Sequence, residues 1–212
     1  MTGRAPRVLV TAGPTREPID AVRFVSNRSS GKMGYAIAVA ALEAGADVTL
    51  VSGPVALDAP PGARVVRVET AREMHRAALA AFARCDLAFH VAAVADFRPA
   101  NPLRGKLKKE GRGSLVLHLA PNPDILLECG RRKRAGQILV GFALEASDGE
   151  RNARSKLRRK NLDLVVLNAP SALDADATSV LVLGRDGARR ALVGRKGAVA
   201  QALVRMVFSL RD

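Results

Sequence analysis

Between Thr11 and Gly34 the chain gathers groups suited to holding an anion. They are Arg16, Arg23 and Arg28, the amide of Asn27, and the run Ser29-Ser30-Gly31-Lys32-Met33-Gly34. The run stands where a helical pattern begins, and the free N–H groups and positive end of a helix form a phosphate site. Ser26 and Met33 exclude a Walker A loop, and Ser29 excludes Gly-x-Gly-x-x-Gly. Taken alone, the hexapeptide fits a polar turn capping a helix equally well. The arginines in the same loop tip the balance toward an anion. Asn27 also has two readings. An exposed loop Asn is an ordinary turn former, but an amide carries donors and an acceptor without charge, which suits it to polarise a carbonyl or stabilise an oxyanion beside a phosphate.

Other candidates lie downstream. Asp96 follows Ala92-Ala93-Val94-Ala95 at the end of an apolar strand. It fits a contact to ligand hydroxyls or to magnesium on phosphates, and equally a cap or turn residue. Lys106-Leu107-Lys108-Lys109 sits in a polar loop from 96 to 113, either a solvated charge run or a lid over phosphates. Lys156 and Lys160 stand four apart on a basic helix and project from one face. That geometry fits two contacts to one triphosphate and fits a surface stripe as well. Cys85 and Cys129 have no metal-type spacing and read as small core or surface residues, while His75, His90 and His118 form no metal pattern.

The elements that must position these groups alternate. Strands are expected at 7–11, 47–51, 64–68, 87–94, 115–119, 138–143 and 162–167, with helices at 33–44, 71–84 behind an N-cap Thr70, one from Pro123 capped by Asn122, 150–160 and 197–209. Arg185-Asp186-Gly187 joins strands at 179–183 and 189–193 as a hairpin. Alternation of this kind predicts an α/β, Rossmann-like, doubly wound and mostly parallel sheet with a late antiparallel hairpin at one edge. Its 212 residues show no repeat or linker, so residues 1–212 read as a single nucleotide-binding domain. No apolar run reaches spanning length and Met1–Pro6 lacks a signal core, which points to the cytoplasm, and no membrane partner is expected.

The net charge of +14, with Arg as 26 of the 34 cations, attracts anionic partners. With 3% aromatics, no Trp and no recognised nucleic-acid motif, a nucleic-acid-binding module is the weaker reading. An oxidoreductase on the same scaffold would need an acid after the second strand, where Val51-Ser52-Gly53 stands.

These segments together resemble the bacterial phosphopantothenate–cysteine ligase family. The matching stretches are Thr11–Gly34, Val48–Val55, Ala92–Phe97, Lys106–Lys109, Asn122–Ile125, Gly141–Glu145 and Lys160–Asn168, in order along nearly the whole chain. The resemblance implies a ligase of coenzyme A biosynthesis that uses CTP with Mg²⁺, 4′-phosphopantothenate and L-cysteine, usually as a homodimer. The acid's carboxylate attacks the α-phosphate, and the cysteine amine then displaces CMP. It gives Asn27 a role on the acyl-cytidylate and Lys106 the place of a mobile-loop lysine. Nucleotide contacts carry over to Ala92, Asp96, Lys106, Pro123, Asp124, Ile125, Leu126, Phe142, Lys156 and Lys160, and the phosphate turn to Ser29, Ser30 and Gly31. It leaves the metal ligands unknown. Departures stand at Ala169, where the family often has Asp, and at Thr178-Ser179, which lacks a preceding Asn. Bacterial members usually follow a flavin-dependent decarboxylase half; none is seen in this sequence, and no flavin is expected in it.

Overall fold

In a computed structural model, residues 4–109, 114–144, 148–168 and 176–211 are described. Glu145 and Ala169, the end of one matching stretch and the site of a departure, lie outside them, as does the end of the basic loop at Gly113. The first strand, β1 (Arg7–Ala12), leads into two three-residue strands, β2 (Arg16–Pro18) and β3 (Phe24–Ser26), and then α1 (Lys32–Glu43). Next come β4 (Asp47–Ser52), β5 (Arg64–Arg67), α2 (Ala71–Phe82), β6 (Leu87–His90), β7 (Phe97–Pro99) and β8 (Leu119–Pro121). The chain closes with α3 (Ile125–Arg132), β9 (Ile138–Leu144), α4 (Gly149–Arg159), β10 (Leu164–Asn168), β11 (Ala177–Gly184), β12 (Arg189–Arg195) and α5 (Lys196–Phe208).

Eight strands form the main sheet in the order β12-β11-β10-β9-β6-β1-β4-β5. The pairings from β10 through β5 are parallel, while β11 pairs antiparallel with both β10 and β12. Alternation along β1 shows why both faces need cover. Val8 and Val10 join a core with Ile37 of α1 and Leu203 of α5. Leu9 enters a second core with Met74 of α2, Cys129 of α3 and Leu157 of α4. A strand buried on both faces and joined by crossover helices is the signature of a doubly wound sheet. Both cysteines are buried, as small core residues. Burial pushes the Cys85 thiol up to about 11 and that of Cys129 up to about 12. Thiols held protonated in this way are poor nucleophiles at pH 7.

Three expectations need correction. The strand expected over 87–94 ends at His90. Beyond it the chain follows the extension of β1 instead: Thr11 Oγ1 accepts from Val91 N and Ala92 N, and Ala93 N donates to Gly13 O. The strand expected at 115–119 is β8, at 119–121, which pairs with β7 outside the main sheet. The cap of α3 is Asp124, whose carboxylate accepts from Leu127 N, because the Asn122 amide is bonded to Ala95 O.

Candidate active site

Strand order reverses between β1 and β6: from β1 the chain runs outward to β4 and β5, then returns to β6 on the other side. Ligands of doubly wound sheets bind in the crevice outside the carboxyl ends at such a point. Two clefts meet there. One, of about 140 Å³, is lined by the phosphate-type turn Ser29-Ser30-Gly31, by Lys32 to Gly34, and by Asn168 and Lys196. The other, of about 180 Å³, holds Asp96, Pro123 to Leu126, Lys156 and Lys160. Ala92 and Phe142 line both. A third cleft of about 960 Å³ shares Ser29, Ser30 and Lys32 with the first and adds Arg16 and Arg67.

The turn is built for close approach. Gly31 is the N-cap of α1 with φ +76, a left-handed conformation open to glycine, and no side chain caps the helix. Gly31 has no side chain to offer the first N–H groups of α1, and the turn that carries them lines the cleft. At Gly34 a Cβ would stand 2.5 Å from the Cβ of Ala12, so its absence lets α1 lie against the end of β1.

In the second cleft, Lys160 Nζ lies 2.7 Å from the Asp124 carboxylate, and Lys156 Nζ donates to Phe142 O at 2.6 Å. Burial raises the Asp124 carboxyl. The hydrogen bonds from Lys160 and Leu127 N outweigh it and hold the group below the usual carboxylate range. Asp96 is exposed at the rim, where its backbone oxygen accepts from Asn122 N.

The structure thus brings twelve residues singled out in the sequence onto two adjoining clefts: Ser29, Ser30, Gly31, Ala92, Asp96, Pro123, Asp124, Ile125, Leu126, Phe142, Lys156 and Lys160. It does not bring Asn27 or Lys106 onto their walls. Exposed Asn27 donates through Nδ2 to Ala93 O and Val94 O, at 3.2 and 3.1 Å. Both N–H groups are thereby used, and the free end of the amide is its oxygen. Lys106 is exposed, but its loop is anchored beside the turn. The buried Asp20 carboxylate accepts from Leu107 N at 3.0 Å and from the Arg23 guanidinium, which itself donates to Leu107 O. The Arg23 side chain, and then Leu107 N, hold the Asp20 carboxyl well below its ordinary range against burial. Sequence reasoning missed His90, Asn168 and Lys196. His90 left a signal, as the imidazole within an apolar run, and Asn168 only as the close of a matching stretch.

Residues 3–210 match the model of the DNA/pantothenate metabolism flavoprotein C-terminal domain. The chain belongs to that family. It is 48% identical over 190 residues to the coenzyme A biosynthesis bifunctional protein CoaBC of Bacillus subtilis, covering 87% of this chain and 46% of that protein. It is 45% identical over 210 residues to a cysteine/cysteine sulfinic acid decarboxylase of an unknown prokaryotic organism, covering 96% of this chain and 58% of the relative. The chain therefore spans about half the length of these curated relatives. Among solved structures, the C-terminal domain of CoaBC superposes with a TM-score of 0.84 at 39% identity, covering 97% of this chain and 95% of that one.

Proposed function

We propose that this chain is a phosphopantothenate–cysteine ligase. In that reading CTP activates the carboxylate of 4′-phosphopantothenate, and the amine of L-cysteine then takes the acyl group. The observation that carries it is the pair of clefts at the switch point, one at an uncapped helix N-terminus and the other bearing Lys156 and Lys160, joined across Ala92 and Phe142. Kinship with the C-terminal domain of a coenzyme A biosynthesis protein supports it.

The chemistry follows from charge. A carboxylate is a poor acyl donor. Attack of its oxygen on the α-phosphate forms an acyl phosphate ester and expels pyrophosphate. The amine then adds to the acyl carbon, loses a proton and releases CMP. The α1 N-terminus and nearby lysines offset the charge of the polyphosphate as it accumulates. The 960 Å³ cleft, with Arg16 and Arg67, has the volume and cations to take the phosphorylated acid beside the turn. Among the described residues no group of three His, Cys, Asp or Glu could hold a metal. The side chains fit Mg²⁺ carried on the triphosphate, with Asp96 the exposed carboxylate at the rim; bound there, it would neutralise phosphate charge. Preference for CTP over ATP rests on the family resemblance.

A homodimer belongs to the same proposal. Val22, Phe24, Phe97, Leu103 and Val116 are exposed on the two small hairpins and their flanks, an apolar surface suited to a second copy. No helix among the described residues is long and apolar enough to cross a membrane, in keeping with action in the cytoplasm. In a longer chain the partner would be a flavin-dependent decarboxylase domain, with the flavin bound there. The test is product analysis: CTP, phosphopantothenate and cysteine should yield the amide, CMP and pyrophosphate in equal amounts, and omission of any one should stop amide formation. Amide formed without nucleotide would refute the reading.

A further inference from the structure

His90 is a buried titratable group that the reaction outlined above does not use. It is the last residue of β6 and only 8% exposed. Its Nε2 is closed to solvent and has no hydrogen-bond partner among the described residues. The residue nonetheless lines the cleft of Asp96, Asp124, Lys156 and Lys160. Burial, and then the charge of Lys160, lower the imidazole to about 4 against the pull of Asp124, so the ring is neutral at pH 7. An orphaned buried nitrogen is a standing cost to stability. Its neighbours Leu87, Ala88 and Phe89 show that this strand accepts apolar side chains throughout. A residue that only filled space here would be more stable as leucine. A buried imidazole nitrogen left unpaired beside this cleft therefore points to a partner that arrives with the ligand.

We infer that His90 is a binding residue for the uncharged nucleoside part of the nucleotide, with rotation about χ2 presenting one ring nitrogen to a base edge or ribose hydroxyl. This inference rests on the proposed nucleotide site. A neutral imidazole offers one N–H and one lone pair but no charge, so it is suited to a neutral polar group rather than to phosphate. The phosphates have the lysines and the end of α1. A protonated ring would add another cation beside Lys160, an arrangement that burial and repulsion both oppose.

The experiment is calorimetric titration of the unaltered chain, His90→Leu and His90→Gln with CTP, CMP and inorganic tripolyphosphate. For His90→Leu, CTP and CMP affinities should each fall about tenfold, the loss of one ordinary hydrogen bond. Tripolyphosphate affinity should stay within about twofold of the unaltered chain. His90→Gln should recover most of the loss, and the melting temperature of His90→Leu should equal or exceed that of the unaltered chain. Undiminished CTP binding by His90→Leu would overturn the inference, as would an equal loss for tripolyphosphate. Nitrogen NMR of the unaltered chain serves as a second readout should the leucine variant misfold. The His90 ring resonance, assigned by its absence in His90→Gln, should shift with CMP and not with tripolyphosphate; a resonance unmoved by CMP would also refute it. Failure of the unaltered chain to bind CTP would instead overturn the parent reading, and this inference with it.

Discussion

Asn27 uses both N–H groups of its amide on the carbonyls of Ala93 and Val94, so the end left for any further contact is its oxygen. An acceptor at that place suits an incoming amine better than an oxyanion, which reverses the donor role expected from the residue type alone. Asn27→Asp would set a carboxylate against two carbonyl oxygens and beside an anionic intermediate. Pyrophosphate release should continue while amide formation falls about 100-fold, near the loss seen when one catalytic hydrogen bond is removed. Quenched-flow separation of acyl nucleotide from amide measures this, and normal amide formation would remove Asn27 from the mechanism. Lys106 is exposed and outside the described clefts. Lys106→Gln should lower kcat about tenfold or more if the loop closes. Stability should stay within about 0.5 kcal/mol, as for surface substitutions generally. A large drop in Tm with unchanged turnover would count against the lid.

The loop that carries Lys106 is held to the chain between β2 and β3 by Asp20 and Arg23, so these two segments behave as one device. Asp20→Asn weakens the Arg23 contact and should raise hydrogen exchange at Leu103 to Leu107 while lowering turnover. The folded-state pKa of Asp20 is depressed, so its stabilisation is complete above the unfolded value of about 3.9 and is lost as pH falls through the folded value. The Tm difference between Asp20→Asn and the parent should therefore be constant from about pH 8 to 5 and close only below about pH 4. A gap that closed between pH 7 and 5 would contradict this. The long elements were legible in the sequence because period and punctuation agree. Thr70 is the N-cap of α2 as expected, with Glu73 completing a capping box, and Ala-rich α1 ends one residue before Ala44. The short ones were not. β2, β3, β7 and β8 are three residues each, three of them containing proline, too brief for a periodic pattern. The clefts were legible as motifs at strand ends. Asn168 ends β10 and was legible only as the close of a matching stretch, while Lys196 opens α5 after the antiparallel hairpin, where no local pattern marks a site.

For the whole molecule, a charge of +14 and an exposed apolar surface on the small hairpins set the expectations. Rising salt should weaken CTP binding, since screening acts on the charge that draws in the nucleotide. Sedimentation should show a dimer. Val116→Asp, which places a charge on a side chain 73% exposed in the single chain, should shift it toward monomer. A monomeric parent at micromolar concentration would refute the docking role of that surface. The central claim is that a carboxylate is activated by nucleotidyl transfer before any amine takes part. Its most direct measurement is rapid-quench pyrophosphate release with CTP and 4′-phosphopantothenate in the absence of cysteine. The account predicts a burst approaching one pyrophosphate per site that needs both reactants, followed by steady turnover once cysteine is added. No pyrophosphate before cysteine, or orthophosphate in its place, would contradict it.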